Sequence, residues 1–249
     1  MLNRNCHPRG LAQLPVRRAL RPLSPTINDV ALRIPRPSRA VPEVRWSANS
    51  YWRLSPLSWV VLLLGLVIFG IGEGLLVQSH FGATPWTVFA LGLAHQTGWS
   101  IGWATACTSA LVMLGWIPLR ERIGVGSILN AAIFPFVLDA TVTIVPAPHT
   151  VMARIGLMIG GLLVFALGAS LYLSTRSGPG PRDGLMTGLQ KRFDWPIAWI
   201  RTTLEALAMT AGWLMGGTVG LGTALFVLGI GYFIAMYFSL WRHVAPSAT

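Results

Sequence analysis

SGPGPRDGLMTGLQKRF (residues 177–193) lies between two long apolar stretches and carries four glycines, two prolines and an Arg-Asp pair. A second stretch of this kind, HFGATPWTVFALGLAHQTGW (80–99), lies nearer the N-terminus. Each has a glycine turn and then a proline at the predicted first helical position, where the missing N–H breaks no helical hydrogen bond. Each predicted helix runs for about 13 residues, or about 20 Å, which is too short to cross a hydrocarbon core of about 30 Å. The sequence therefore predicts two short helices set among longer apolar ones.

The two stretches belong to an internal repeat with an offset of 96 residues. Between residues 65 and 129, 18 of 65 positions are identical to the residue 96 places further on, without a gap. A shared abundance of Gly and Leu explains some of these identities. It does not explain why Pro85 and Trp99 stay in register with Pro181 and Trp195. Such self-similarity indicates a duplicated structural unit.

The composition predicts an integral membrane protein whose partner is the lipid bilayer. The chain is 53% hydrophobic and only 11% charged, whereas soluble domains are about 25% charged. The net charge of +11 is not spread over a surface, because ten of the nineteen basic residues lie in the first 53 positions. The others flank or interrupt apolar segments, so we expect no nucleic acid partner.

Six apolar segments are long enough to span a bilayer. We predict spans at 58–78, 100–118, 126–145, 152–174, 196–214 and 222–241. With the Arg-rich N-terminus inside, the connections that fall outside, 79–99, 146–151 and 215–221, hold no Lys or Arg. This positive-inside pattern predicts a multi-pass protein with both termini in the cytoplasm.

The repeat and the spans together divide the chain. We predict a basic, Pro- and Arg-rich cytoplasmic tail that is disordered (1–53), a first repeat (54–150), a second repeat (151–241) and a cytoplasmic C-terminus (242–249). Three spans per repeat turn the second copy upside down relative to the first. The predicted fold is an all-α membrane protein of six transmembrane helices in two inverted three-helix repeats, each with a short helix whose re-entrant placement is left open. Such repeats are typical of transporter cores.

Ionisable residues inside spans are the first candidates for a solute or ion site, because their burial in a membrane is unfavourable without a role or a partner. The ones we single out are Glu73, Asp139, Arg201 and Glu205. Arg201 and Glu205 are four residues apart on one helix face and can pair. A structural ion pair and a polar site for a solute or proton are both left open.

The starts of the two short helices are the second candidates: Gly82, Thr84 and Pro85 in the first repeat, and Gly178, Gly180, Pro181, Arg182 and Asp183 in the second. Free N–H groups and the helix dipole at such a start favour an anion, which Arg182 would help to hold. Asp183, near the third helical position, favours the alternative that the helix start is capped internally.

Other residue types point to no further chemistry. We interpret the tryptophans, Trp86 and Trp116 among them, as anchors at the membrane interfaces. The histidines lack metal-ligand spacing and the two cysteines form no metal motif, so we predict no metal and no cofactor. No catalytic constellation is recognisable, and we predict that the chain is not an enzyme.

With these motifs in view, the chain resembles the YczE/YitT-like family of bacterial integral membrane proteins. The resemblance rests on GPGPRDGLMTGL (178–189), RTTLE (201–205), GGTVGLGT (216–223) and WIPLRER (116–122), and it covers about residues 58–240. It implies a polytopic protein of the bacterial inner membrane, of the kind often named a transporter. The first repeat departs from the usual Pro-Trp-Asp, because Thr87 follows Trp86, and it has His95-Gln96 where a basic pair is usual.

The predicted function is transporter or channel-like passage of a small solute across the bacterial inner membrane. The alternative is a non-transporting scaffold or regulatory partner of a cytoplasmic enzyme complex, for which the basic tail is the supporting feature. A homo-oligomer or a cytoplasmic partner is left open.

Overall fold

A computed structural model describes residues 41–246. These residues form helices and no strands, so the all-helical prediction is confirmed. Their helices are α1 (Pro56–Gln78), α2 (Pro85–Thr97), α3 (Ile101–Leu114), α4 (Trp116–Leu119), α5 (Val125–Ile144), α6 (Val151–Ser174), α7 (Pro181–Phe193), α8 (Ile197–Leu214) and α9 (Leu221–Val244).

Within residues 41–246, five helical segments are long and apolar enough to cross a membrane: α1, the continuous stretch Ile101–Leu119, α5, α6 and α9. The sixth predicted span, 196–214, is the helix α8 but is not among these five. Arg201 and Glu205 lie in α8 and reduce its apolar character.

The helices α1 and α6 form the centre of the fold and pack along each other. Their closest approach occurs at two glycines. A Cβ atom added to Gly72 would lie 2.2 Å from the backbone nitrogen of Phe165, and one added to Gly168 would lie 2.2 Å from that of Phe69. Only glycine therefore allows the two backbones to come this close. Around this pair, α5 packs on α1 and α9 packs on α6.

The two short helices have the predicted lengths and starts. Both α2 and α7 are 13 residues long and begin at a proline, Pro85 and Pro181. The side chain of Thr84 caps α2 by accepting the N–H of Thr87. α2 packs against α8, whereas α7 packs against α3 and α4. Each short helix therefore lies on a long helix of the other half of the chain.

Matching elements recur at an offset of 96 residues throughout the described part. The starts of α2, α3 and α5 correspond at this offset to those of α7, α8 and α9. Left-handed backbone angles recur as well, with φ of +106° at Gly82 and +128° at Gly178. The N–H of Gly126 donates to the carbonyl of Ser177, and in matching positions the N–H of Gly222 donates to that of Phe81.

The segment before α1 is attached to the end of α6. The indole N–H of Trp46 donates to the hydroxyl of Ser174, and the N–H of Ala48 donates to the carbonyl of Thr175. Of the tail predicted over 1–53, residues 1–40 lie outside the described residues, as do residues 247–249 of the predicted C-terminus.

Candidate solute-binding cavity

A cavity of about 950 Å³ lies between the two groups of matching helices. The first turns of both short helices line it, with Thr84, Pro85 and Trp86 from α2 and Gly180, Pro181, Arg182 and Asp183 from α7. Pockets for small molecules measure about 300–1,000 Å³. The cavity is therefore large enough for a small organic solute.

Four charged side chains line the cavity: Arg182 and Asp183 from α7, and Arg201 and Glu205 from α8. Arg201 Nε donates to Glu205 Oε1 over 2.9 Å, and the two residues are one helical turn apart. The predicted pairing of these two side chains is present. The cavity is thus polar where α7 and α8 meet.

Arg182 differs from Arg201 because its guanidinium has no hydrogen bond or ion pair to any residue between 41 and 246. It lies instead over two aromatic rings, 5.8 Å from the centre of Trp86 and 5.9 Å from that of Phe134. Such contacts attract a cation to the ring face. They leave the N–H donors, which lie in the guanidinium plane, free to bind a ligand.

Asp183 is exposed to the cavity and stands next to the backbone of Gly180, the residue that precedes α7. A Cβ atom added to Gly180 would lie 3.2 Å from Asp183 Oδ2. This position fits the predicted capping of the helix start, since a carboxylate there compensates free N–H groups and the helix dipole. Asp183 is also one of the residues that line the cavity.

The rest of the cavity wall is aromatic. Phe134 contacts Phe69, with ring centres 4.6 Å apart, and Phe69 contacts Phe165 at 4.4 Å. Phe165 in turn contacts Phe226 at 4.9 Å. We call these four residues, all of which line the cavity, the aromatic wall. It begins beside Arg182 and continues to α9, so the cavity has one charged region and one apolar region.

The cavity reaches the surface of the protein between α8 and α9. Leu228 and Tyr232 of α9 line it, yet they are 83% and 56% exposed. α8 and α9 make almost no direct contact, whereas the matching helices α3 and α5 pack together. The Trp103 and Phe136 rings bridge α3 and α5 with centres 5.3 Å apart. The cavity is therefore closed at α3–α5 and open at α8–α9.

Glu73 lies behind the start of α2 and does not line the cavity. It is fully buried, and its Oε1 accepts the N–H of Thr84 over 3.3 Å. Its Oε2 has no hydrogen-bond partner among the described residues. A buried carboxyl with one unsatisfied oxygen is unusual, and its one hydrogen bond ties Glu73 to the residue before α2.

Asp139 lies away from the cavity, at the contact between α5 and α3. Its Oδ2 accepts the hydroxyl of Ser100 and its Oδ1 accepts the N–H of Gly102, each over 3.0 Å. Ser100 is the N-cap of α3, so this carboxylate binds the helix start. The four predicted ionisable residues thus separate: Arg201 and Glu205 line the cavity, Glu73 lies behind it, and Asp139 joins two helices.

Two tryptophans that we interpreted as interface anchors are instead inside the protein. Trp86 is 9% exposed and lines the cavity, and Trp116 is 1% exposed and donates to the carbonyl of Pro181 over 2.9 Å. The repeat contained a signal for the first of these, because Trp86 occupies the position that matches Arg182. The aromatic wall had no such signal, since buried phenylalanines are common in any apolar helix.

Comparison with known proteins assigns the chain to a family of unknown function. The sequence profile of a family of unknown function, DUF6198, matches residues 56–239. An uncharacterised protein of Haemophilus influenzae is 40% identical over 202 residues, which are 81% of this chain and 93% of that protein. The uncharacterised membrane protein YczE of Bacillus subtilis is 30% identical over 172 residues, which are 68% of this chain and 80% of YczE. No solved structure matches the chain.

Proposed function

The chain is a membrane protein that belongs to the DUF6198 family, and we propose that it is a transporter that carries a small solute across the bacterial inner membrane. The observation that carries the proposal is the cavity lined by the first turns of both short helices and by two arginines and two carboxylates. Transporters of known type bind their solutes where two structural repeats meet, close to the ends of interrupted or short helices.

The recurring geometry supports two inverted repeats as the frame of this transporter. Hydrogen bonds between the halves occur twice with the roles of the halves exchanged. Gly126 of the first half donates to Ser177 of the second, and the matching Gly222 of the second half donates to Phe81 of the first. Exchange of this kind is what a two-fold axis between the repeats requires. The reciprocal close contacts of α1 and α6 at Gly72 and Gly168 follow the same rule.

α8 is the sixth span in this proposal, although its composition is less apolar than that of the other five. Its two charged residues bind each other, and both line the cavity. A paired charge that faces a cavity is compatible with a membrane helix. With α8 as a span, three spans lie before residue 150 and three lie after it, so the second repeat is inverted.

The difference between α3–α5 and α8–α9 supports a carrier rather than an open channel. The positions that match Trp103 and Phe136 are Trp199 and Tyr232, which are also aromatic but are 71% and 56% exposed. Exchange of the two repeats' conformations would bring these rings together and separate Trp103 from Phe136. The cavity would then close at α8–α9 and open at α3–α5, so that the solute gains access from the other direction.

Sidedness is the first test of this topology. Gln96 and Arg192 occupy matching positions near the ends of α2 and α7, and both are exposed. We expect a cysteine at Gln96, in a chain without Cys6 and Cys107, to react in intact cells with a membrane-impermeant thiol reagent. A cysteine at Arg192 should react only after lysis. Reaction of both from outside would contradict the inverted repeats.

Motion of the repeats is the second test. Spin labels on Cys107 and on an introduced cysteine at Ala140 report the α3–α5 distance, and labels at the matching Thr203 and Met236 report the α8–α9 distance. Cys6 is replaced in both pairs, and Cys107 is replaced in the second pair. In lipid nanodiscs we expect each pair of labels to show a shorter and a longer distance. An extract that contains the solute should favour the shorter distance in one pair and the longer distance in the other. A single fixed distance for both pairs under all conditions would exclude the carrier mechanism.

A further inference from the structure

We propose that the cavity binds a zwitterionic solute with an apolar body, whose anionic group lies on Arg182 and whose ammonium group lies on Asp183. The proposal names a substrate class for the transport function inferred above and rests on that function. It follows from the hydrogen bonds and ion pairs that the charged side chains near the cavity form or lack, and from the aromatic wall beside them.

Arg182 provides the anion-binding half of the site. Its guanidinium has no hydrogen bond or ion pair within residues 41–246, although protein surrounds it on several sides. The rings of Trp86 and Phe134 hold it in position without using its N–H groups. An arginine with free, coplanar donors matches the two oxygens of a carboxylate or phosphate.

None of the neighbouring carboxylates forms an ion pair with Arg182 in the described residues. Glu205 is bound to Arg201, and Glu73 accepts the N–H of Thr84 behind the α2 start. Asp183 lies next to Gly180 at the helix start and is exposed to the cavity. Asp183 therefore keeps acceptor capacity for an ammonium group, beside the arginine that binds the anion.

The charge balance of the cavity favours a zwitterion over an anion or a cation. The charged residues that line it are two arginines and two carboxylates, and the further carboxyl nearby, Glu73, is buried behind the α2 start. A solute with a net charge would add an uncompensated charge to a space with an aromatic wall, which is unfavourable. A zwitterion adds one charge of each sign, and each sign has a partner in the same turn of α7.

The aromatic wall provides room for the apolar body of the solute. It begins at Phe134, next to Arg182, and its rings follow one another at 4.4–4.9 Å between centres. Apolar amino acids have this combination of a zwitterionic end and an apolar body. A phospholipid with an ethanolamine headgroup has the same chemistry and would enter through the opening between α8 and α9.

The test uses the full-length chain in nanodiscs of phosphatidylglycerol, which is not zwitterionic. Binding is measured by titration and by the melting temperature for three probes with one body: L-phenylalanine, the anion 3-phenylpropionate and the cation 2-phenylethylamine. L-leucine and L-methionine vary the body. A parallel sample contains phosphatidylethanolamine. It shows whether the zwitterion that binds is this lipid or a soluble amino acid. We expect a zwitterion, soluble or lipid, to bind at least tenfold more tightly than the anion or the cation.

Two variants and two matched controls locate the effect. R182Q should weaken binding of the zwitterion ten- to hundredfold, the loss typical of one or two charge-assisted hydrogen bonds. D183N should remove the preference for the zwitterion over the anion. R192Q and D194N make the same chemical changes at the exposed end of α7 and should leave binding unchanged. R182Q alone tests the site if D183N fails to fold.

Tighter binding of the anion or the cation, no binding of any zwitterion in either lipid, or an equal loss in R192Q would overturn the proposal. The spin-label distances separate this failure from that of the transport function. If the shorter and longer distances of both label pairs interconvert but no zwitterion binds, the proposed substrate class is wrong and the carrier mechanism is retained. If a zwitterion binds at Arg182 but does not enter proteoliposomes, the binding site stands and the carrier is wrong.

Discussion

Replacement of Asp139 with Ala should release the closed contact between α3 and α5. The carboxylate accepts two hydrogen bonds of 3.0 Å from the start of α3, one from the Ser100 hydroxyl and one from the Gly102 N–H. The matching residues at α8–α9 are Pro196, Ala198 and Ala235, which cannot form such a link. The closed state at α3–α5 therefore has a stabilising contact that the opposite closed state lacks.

The size of the effect follows from these two bonds. A hydrogen bond to a charged group contributes about 1.5–3 kcal/mol when it is well shielded. Ser100 is exposed and Asp139 is half-buried, so water screens both hydrogen bonds. We therefore assign about 2 kcal/mol of stabilisation to the two bonds together, which is less than the sum for two buried bonds. This corresponds to a change of about 30-fold in the ratio of closed to open α3–α5 states.

Spin-label distances in nanodiscs measure that ratio. With labels on Cys107 and at Ala140, the Asp139→Ala variant should gain a longer α3–α5 distance. With labels at Thr203 and Met236, it should gain a shorter α8–α9 distance. Asp139→Asn keeps an acceptor oxygen but no charge and should lie between the variant and the native chain. Unchanged distributions at both pairs, in a variant that folds and inserts normally, would refute the role of Asp139 and the coupling between the two contacts.

Three further outcomes test the packing, the ion pair and the tail. Gly72→Ala should lower the melting temperature, at a cost of about 1–3 kcal/mol typical of overpacking, because its Cβ would lie 2.2 Å from a backbone nitrogen. Gly156→Ala is the control, since apart from the adjoining backbone of its own helix no described residue lies within 4 Å of its added Cβ, and its stability should be unchanged or higher. Glu205→Gln should leave the protein in the membrane, because Gln has the size of Glu and keeps an oxygen that can accept the N–H of Arg201, but it should alter solute binding measured by titration; loss of the protein from the membrane would favour a purely structural pair. Deletion of residues 1–40 should leave both spin-label distance populations in place. If a deletion strain complemented with this shortened chain lost the phenotype of the full-length protein while both populations remained, the scaffold alternative would be favoured.

The sequence alone determined the local elements of this protein. Pro85 and Pro181 mark the starts of two 13-residue helices because proline is favourable at the first helical position. The membrane class follows from apolar runs of bilayer length, and the pairing of Arg201 with Glu205 follows from helical periodicity. Each of these features depends on residues that are close along the chain.

The tertiary structure decided which residues meet. Trp86 and Trp116 have the residue type and the sequence position expected of interface anchors, yet both are buried. They are buried because the short helices pack against helices of the other half of the chain. Asp139 and Glu205 looked alike as intramembrane carboxylates, but one binds the start of a helix and the other faces the cavity. Such differences depend on contacts between segments distant in sequence, and a periodic apolar pattern does not specify which apolar faces pack and which leave a gap.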